Sequence, residues 1–292
     1  MITGQLLVQG LVVGLLMGGL YALIALSLAL VFGVLRVLNF AHGDLLMVAM
    51  YGVLVLHEVM GLHPYWSPLV LFPLMLGVGL LVFTLLIRPV QGAGVLVHAQ
   101  LTLALSFVIQ SLALIVFGAD LMTVRTDLGD MRVAVGGVVA GVPLLVAFGA
   151  SLAISGLLSW TLTHTRVGRR VRATAQDPLM AGLCGINVPR VQKYVFGISV
   201  ALLAVAAACL LTFFHVTPTV GLQFSVLSLL IVVLGGLGDL RGAFFGGLLI
   251  GVAEVMTSVV FNSAAGPAAI YVVFAAVLLL RPRGLFGGGV EA

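Results

Sequence analysis

The sequence predicts an all-α polytopic membrane protein, with eight or nine transmembrane or re-entrant helices and one cytoplasmic loop near its middle. Its 292 residues are 62% hydrophobic and only 8% charged, whereas a soluble domain has about 25% charged residues. Several apolar stretches approach the ~20 residues that a helix needs to cross a bilayer. Because these stretches are continuous rather than alternating, a β-barrel is disfavoured.

The apolar stretches define nine segments within one domain, residues 1–292. The first, Leu6–Phe32, is too long for the apolar part of a signal peptide and follows no basic residue, so we interpret it as a span. Two segments are short and are candidates for re-entrant or broken helices: Leu45–Leu56 and Phe224–Leu237. The remaining segments are Pro68–Ile87, Leu101–Phe117, Val138–Thr161, Tyr194–Phe214, Ala243–Phe261 and Ala268–Leu280.

The basic residues predict the orientation of the chain, because Lys and Arg collect in cytoplasmic loops. One set of loops contains the six basic residues of a central loop, about 164–193, together with Arg36, Arg88, Arg241, Arg281 and Arg283. The other set contains two arginines among three acids: Arg125, Arg132, Asp120, Asp127 and Asp130. The central loop and the C-terminus are therefore expected in the cytoplasm, and nine full crossings place the N-terminus outside. The net charge of +4 then reflects topology and does not indicate nucleic acid.

The chain offers little material for catalysis. Its one lysine, Lys193, follows Gln192, so the Gly-Lys-Ser/Thr triplet of a phosphate-binding P-loop is missing. The six histidines form no His-x-x-x-His pair, and Cys184 and Cys209 lack the spacing of metal ligands. We predict no catalytic residue, no metal site and no cofactor bound by this chain.

Glycines four residues apart predict close helix contacts, because small side chains at this spacing let membrane helices approach. We expect these pairs to serve packing rather than chemistry: Gly14 with Gly18, Gly242 with Gly246, and Gly247 with Gly251.

Polar residues at the edges of spans, or within them, are candidates for the membrane pathway or its gate. Glycine-containing strings occur at 39–44 and 235–242, and irregular backbone at membrane depth is tolerated only inside protein or beside water. Ionisable groups there are costly and are therefore functional candidates. The alternatives are that Asp44 caps a helix N-terminus and that Glu254 is a protonated or hydrogen-bonded carboxyl at a helix contact. The candidates are Asn39, His42, Gly43, Asp44, Gly238 and Glu254.

The central loop is predicted to contain two short helices. Arg166–Ala175 is a basic stretch suited to lie along lipid headgroups. Asp177 and Pro178 are the residue types that begin a helix, and Gly185 is typical of a helix end, so the second helix is expected over Leu179–Cys184. An ordered helix indicates a protein partner, and the alternative is a loop that only supplies positive charge.

Six stretches occur along the chain in a specific order: Gly18–Leu26, Phe32–Asp44, Arg172–Pro178, Gly185–Val188, Val233–Gly238 and Arg281–Phe286. Together they resemble the permease subunits of bacterial ABC importers for branched-chain amino acids, and most of all the first of the two permeases in that system. The string Asn-Phe-Ala-His-Gly-Asp and the string Gly-Ile-Asn-Val are the more specific parts, and the resemblance covers nearly the whole chain.

The resemblance implies that the central loop couples this chain to an ATPase. In such permeases a cytoplasmic Ala-x-x-x-Gly element docks on the ATPase, and Ala181 and Gly185 have this spacing. Asp177, Ile186 and Asn187 flank the element and are expected to contribute to coupling. The broader importer motif has Glu-Ala-Ala where this chain has Leu-Met-Ala, so the docking face is expected to be mostly apolar.

The resemblance also implies partners and a location. These are two ATPase subunits that bind ATP and Mg, a second permease subunit and a periplasmic solute-binding protein, with membrane lipid around them in the bacterial inner (plasma) membrane. Two other functions stay open: a proton-coupled secondary transporter that uses Glu254, Asp44 or His42, and a permease for urea or short amides.

Overall fold

The computed structural model describes residues 4–124, 129, 131–135, 137–282 and 284–286. Arg125, Asp127, Asp130 and Arg283, which entered the orientation argument, lie outside the described residues. Within them the chain forms eleven α-helices, three short helical segments of other types (Pro64–Trp66, Phe83–Ile87 and Arg88–Val90) and one β-hairpin, so the prediction of an all-α membrane protein is confirmed except for the hairpin. The helices are α1 Gly4–Leu35, α2 His42–Met60, α3 Pro68–Val82, α4 Val95–Phe117, α5 Val142–His164, α6 Arg166–Gln176, α7 Pro178–Leu183, α8 Val188–Leu210, α9 Val220–Gly235, α10 Leu240–Val260 and α11 Ala265–Leu280.

Nine of the described helices are apolar enough to lie in a membrane. Seven are also long enough to cross it: α1, α2, α3 with its continuation to Val90, α4, α5, α8 and α10. The short ones are α9 and α11, with 16 residues each. The expectation that the second segment is short was wrong, because α2 extends over 19 residues and includes polar residues at both ends.

A β-hairpin replaces the start of the predicted segment Val138–Thr161. Strand β1, Arg132–Val135, pairs antiparallel with strand β2, Val138–Gly141. Val138, Val139 and Ala140 are apolar and adjoin a span, so the sequence did not separate them from α5. Two glutamines of α1 hold the strand: Gln5 donates to the carbonyl of Gly137 at 3.1 Å, and Gln9 accepts from the amide of Val139 at 2.8 Å.

The helix α1 lies at the centre of the bundle and packs on α10, α8, α5 and α9. The contact of α1 with α10 depends on glycine. A Cβ atom on Gly14 would lie 2.8 Å from the Cα of Val252, and one on Gly18 would lie 2.7 Å from the Cα of Leu248. The predicted glycine pairs are thus packing contacts, since no larger side chain fits between the two backbones.

The loops gather at two ends of the bundle. At one end, which we call the basic end, lie Arg36, Arg88, the central loop and Arg281, and a hydrogen bond of 2.8 Å joins Gln91 to Gln192 there. At the other end, the hairpin end, Tyr65 donates to Thr212 at 3.4 Å, and Met122 pairs with Val216 in an isolated β-bridge. The hairpin end includes Arg132, so the described basic residues are sorted largely to one end, as predicted.

Candidate functional site

The connection between α1 and α2 folds back into the bundle. The helix α1 ends at Leu35, and Arg36 adopts a left-handed backbone conformation with φ of 54°. The chain then returns without helical structure to His42, whose ring contacts Ser27. Because a helix rises 1.5 Å per residue, Ser27 lies about 12 Å along α1 from its end. The helix α2 therefore begins inside the bundle and not at its surface.

His42 is fully buried at this point, and its hydrogen bonds define its tautomer. Its Nε2 atom lies 2.7 Å from Ser27 Oγ, and that hydroxyl lies 2.6 Å from the carbonyl oxygen of Ile24. A serine hydroxyl has one hydrogen. Since this hydrogen is donated to Ile24, Nε2 donates to Ser27, and Nδ1 is left as an acceptor without a partner among the described residues.

Gly43 brings the start of α2 into direct backbone contact with α9. Its amide donates to Ser225 Oγ at 2.8 Å. A Cβ atom at Gly43 would overlap the carbonyl of Gly221, and one at Gly221 would lie 2.6 Å from the Cα of Asp44. The first turns of the two helices can cross at this distance only because both positions lack a side chain.

Asp44 does not cap α2, contrary to one expectation. The N-cap residue is Ala41, whose side chain makes no capping hydrogen bond. Asp44 is fully buried, and its Oδ1 accepts from Gln110 Nε2 of α4 at 3.0 Å. Its Oδ2 has no partner within the described chain, and the same holds for Nδ2 of the buried Asn39. The Asp44 carboxylate is thus hydrogen-bonded to Gln110 of α4.

The helix α4 supports this region with polar residues four positions apart, which the sequence argument missed. Thr102 Oγ1 accepts from the amide of Phe40 at 3.2 Å and lies 3.2 Å from the carbonyl of Leu38. Ser106 Oγ lies 3.0 Å from Gln110 Nε2. The spacing of His98, Thr102, Ser106 and Gln110 places all four on one face, and this spacing was the signal that could have identified them.

The other two pathway candidates lie in different surroundings. Glu254 is on α10, where its carboxyl lies beside the Tyr21 hydroxyl of α1 and its Oε2 lacks a hydrogen bond within the described part. Gly238 is in the turn between α9 and α10 with φ of 84°, and a Cβ atom there would lie 2.8 Å from the Cα of Gly33. The structure thus brings Asn39, His42, Gly43 and Asp44 together, while Glu254 and Gly238 contact other parts of α1.

The central loop forms the short helix that was predicted, shifted by one residue to Pro178–Leu183. Asp177 Oδ1 accepts from the amides of Leu179 and Met180 at 2.9 and 3.0 Å. The helix ends at Leu183, and Gly185 follows with φ of 82°, while the Ile186 amide donates to the carbonyl of Ala181 at 3.0 Å. Asn187 Oδ1 then accepts from Arg190 N at 3.1 Å and begins α8. This short helix α7 is therefore fixed at both ends.

The exposed surface of α7 is apolar. Leu179, Met180 and Leu183 are 71%, 56% and 75% exposed, whereas Ala181 is only 4% exposed. Ala181 thus packs against the rest of the chain, and the three larger side chains point away from it. Exposed apolar groups on a helix at the basic end are typical of a surface that a protein partner covers.

The comparisons with known proteins cover almost the whole chain. The family described as "Branched-chain amino acid transport system / permease component" matches residues 10–281. A relative from Pseudomonas aeruginosa, the high-affinity branched-chain amino acid transport system permease protein BraD, is 30% identical over 96% of this chain and 95% of its own length. The permease protein LivH of Escherichia coli is 28% identical over 94% of this chain and 93% of its own.

A third relative has a similar degree of identity. The probable branched-chain amino acid transport permease protein LivH of Methanocaldococcus jannaschii is 28% identical over 92% of this chain and 89% of its own length. No solved structure matches the chain. The family match begins within α1 and ends just after α11, so it includes the folded-back connection before α2 and the short helix α7. The chain therefore belongs to the family of permease components of branched-chain amino acid transport systems.

Proposed function

We propose that this chain is a permease subunit of an ATP-driven importer and forms part of the membrane pathway for branched-chain amino acids. The observation that carries the proposal is α7, an ordered helix with an apolar exposed face between two spans, in a chain that matches permease components from residue 10 to residue 281. A subunit that is moved by another protein needs an ordered, exposed element on which that protein can dock. A loop that only supplied charge would need no fixed ends.

The ATP is hydrolysed elsewhere, because no P-loop triplet occurs in the sequence. Two ATPase subunits hold ATP and Mg and contact α7, while this chain binds no cofactor and is not an enzyme. A second permease subunit completes the pathway. The assembly lies in the bacterial inner (plasma) membrane. The basic end faces the cytoplasm, so the hairpin end receives the periplasmic solute-binding protein.

Movement of α7 reaches the pathway through α8. Asp177 ends α6 and begins α7, and Asn187 begins α8 only two residues after Gly185. The helix α8 packs on α1, α2 and α3, and Ser199 of α8 donates to the carbonyl of Ser27 at 2.7 Å. Closure of the ATPases on α7 thus biases the packing of the helices around Ser27 and His42, and such a bias between two packed arrangements is what import requires.

A second function is favoured by one observation. His42, Asp44 and Glu254 each have a polar atom without a partner in the described chain, and buried ionisable groups occur in proton-driven secondary transporters. That function predicts uptake by this chain alone, driven by a proton gradient and indifferent to ATP.

The two functions differ in what accompanies the chain. The tagged chain is purified in a mild detergent from its native membranes, and the proteins that remain bound are identified by mass spectrometry. Recovery of a P-loop ATPase and a second apolar permease in stoichiometric amounts is the expected result. Recovery of the chain alone, active with a proton gradient, would favour the secondary transporter.

A further inference from the structure

A cavity opens at the basic end of the bundle, where three parts of the chain meet. Its volume is about 340 Å³, within the range of ~300–1,000 Å³ that is typical of small-molecule sites. The end of α1 contributes Arg36, the connection before α4 contributes Gln91, and the start of α8 contributes Gln192. The cavity therefore adjoins the helix that follows α7 in the chain, and none of the predicted pathway candidates lines it.

The lining offers hydrogen-bond donors that the chain itself does not use. Arg36 is exposed, and among the described residues its side chain forms no hydrogen bond or ion pair. Gln91 Nε2 donates to Gln192 Oε1 at 2.8 Å, which leaves Gln192 Nε2 free to donate elsewhere. The described residues that line the cavity include no Asp or Glu. An arginine and a free amide without an opposing acid favour an anion.

The helix α4 begins at the cavity with amides that are not hydrogen-bonded. Val95, its first residue, is part of the lining. The amides of Val95 and Leu96 donate to no acceptor within the described chain, and Gly94 precedes the helix without a side chain that could cap it. The first amides of a helix point outward along its axis, and its dipole is positive there. The start of α4 therefore adds to the attraction for an anion.

His98 of α4 is a further polar residue of the lining, and its hydrogen bonds are incomplete. The side chain is only 5% exposed. Its Nδ1 donates to the carbonyl of Gly94 at 3.3 Å, while its Nε2 has no partner among the described residues. Buried polar atoms usually have a partner, and both nitrogens of a protonated ring are donors. An anionic oxygen satisfies Nε2 in that state.

A phosphate group matches this combination of donors. It has at least three oxygens that accept charge-assisted hydrogen bonds, so a guanidinium, a side-chain amide and helix amides can bind it together. The remaining lining includes the apolar residues Leu35, Ile87 and Val188, which suit the carbon part of a phosphate ester. Basic pockets between membrane helices bind the phosphate headgroups of lipids, and free phosphate compounds carry the same group.

We propose that this cavity binds the phosphate group of an anionic phospholipid or of a free phosphate compound. The guanidinium of Arg36, Nε2 of Gln192 and the amide of Val95 donate to its oxygens. The bound group links the end of α1 and the start of α4 to the start of α8. The inference goes beyond the proposed function and does not depend on it, because this binding requires neither ATP nor a transported solute.

The site is tested by the binding of phosphate compounds to protein from which lipid has been removed. The full-length protein is purified with the subunits that accompany it, washed in detergent, and supplied with either phosphatidylglycerol or inorganic phosphate. Native mass spectrometry counts the lipids that are retained, and thermal unfolding measures stabilisation by inorganic phosphate. The controls are diacylglycerol, which has the acyl chains without the phosphate, and sodium chloride at the same ionic strength.

Two results support the site, and they distinguish the source of the phosphate. Retention of phosphatidylglycerol but not of diacylglycerol identifies a lipid headgroup. A higher unfolding temperature with inorganic phosphate, but not with sodium chloride, identifies a free phosphate compound.

Matched variants assign the binding to the cavity. Arg36→Gln removes the guanidinium and is expected to weaken binding roughly tenfold, as the loss of one charge-assisted hydrogen bond does. Arg170→Gln removes the same charge from an exposed position of α6, at the same end of the bundle but outside the lining, and is expected to leave binding unchanged. Ala93→Trp fills the cavity from an exposed position of its lining, so it is expected to abolish binding while the protein stays folded.

Two other results would overturn the inference. If the unmodified protein retains no phosphatidylglycerol and inorganic phosphate does not raise its unfolding temperature, the cavity is no phosphate site. If Arg36→Gln, Ala93→Trp and Arg170→Gln all bind as the unmodified protein does, the binding reflects a general attraction of the basic end for anions and not a site in this cavity.

Discussion

His42 Nε2 donates to Ser27 Oγ across 2.7 Å, which ties the first residue of α2 to the middle of α1. The hydroxyl is able to accept this bond because it donates its own hydrogen to the carbonyl of Ile24 at 2.6 Å. The pair fixes the depth at which α2 begins, and it places the amide of Gly43 and the carboxylate of Asp44 inside the bundle. The remaining features of the candidate site depend on this depth.

Loss of the Ser27 hydroxyl is expected to destabilise the protein. Ser27→Ala removes the acceptor that lies 2.7 Å from His42 Nε2 and leaves only the carbonyl of Ile24, at 3.4 Å, so the loss of this buried hydrogen bond is expected to cost about 1 kcal/mol. The measurement is the thermal unfolding of the purified protein in detergent. Ser111→Ala, at an exposed position of α4, is the control and is expected to unfold at the original temperature. Equal unfolding temperatures for both variants would show that the Ser27–His42 bond contributes nothing.

The contact between Gly43 and Gly221 is expected to tolerate no side chain. Gly43→Ala pushes a methyl group into the backbone of α9, and overpacking of this kind costs about 1–3 kcal/mol or more. Gly77→Ala in α3 is the matched control, because nothing lies within 4 Å of its added Cβ atom. The yield of monodisperse protein is expected to fall for Gly43→Ala only. A normal yield for that variant would mean that α2 and α9 do not cross as closely as described.

Gly185 is expected to matter for coupling through its backbone. Its φ of 82° lies in the left-handed region, which costs a residue with a side chain about 1–2 kcal/mol. Gly185→Val is therefore expected to misplace α7 and to leave ATP hydrolysis running without uptake. Gly77→Val, in α3 and outside the docking helix α7, with nothing within 4 Å of an added Cβ atom, is expected to keep the two coupled. Normal uptake by Gly185→Val would refute the assignment of α7 to coupling.

The apolar face of α7 is expected to hold the ATPase. Leu183 is 75% exposed, and Leu183→Asp introduces a charge that an apolar interface cannot solvate, with a cost of several kcal/mol. The amount of ATPase that copurifies with the permease is expected to fall strongly. Val167→Asp, on α6 and 67% exposed, serves as the control for a new charge nearby. An equal loss of ATPase in both variants would point to a general electrostatic effect.

The two native cysteines report the orientation of the chain without any substitution. Cys184 is exposed at the end of α7, and Cys209 is buried in α8. A membrane-impermeant maleimide is expected to modify Cys184 in inside-out vesicles stripped of ATPase and to leave it unmodified in intact cells. Cys209 is expected to stay unmodified in both. Modification of Cys184 from outside the cell would reverse the proposed orientation.

The sequence correctly predicted those elements whose formation depends on residues close together in the chain. Asp177, Pro178 and Gly185 predicted α7 to within one residue, because capping acts within a single turn. The glycine pairs predicted close packing, although the partner helix of each was unknown. The hairpin was missed since Val138 and Val139 are apolar and adjoin a span.

The candidate site was predictable only in part, because it is assembled from distant segments. The string from Asn39 to Asp44 identified the folded-back connection, but Ser27, Gln110 and Ser225 enter it only through tertiary contacts. The sequence predicted Glu254 and Asp44 as pathway candidates on the same ground, because each is an acid within an apolar segment or at its edge. The structure separates them, since Glu254 lies beside Tyr21 and Asp44 lies beside Gln110.

The most direct test of the proposed function is uptake of radioactive leucine by vesicles that contain this chain, the second permease, the two ATPases and the solute-binding protein. The predicted result is uptake that requires ATP on the side of the membrane that the basic end faces. This uptake stops when any of the partners is omitted. Uptake by this chain alone, driven by a proton gradient and unaffected by ATP, would contradict it.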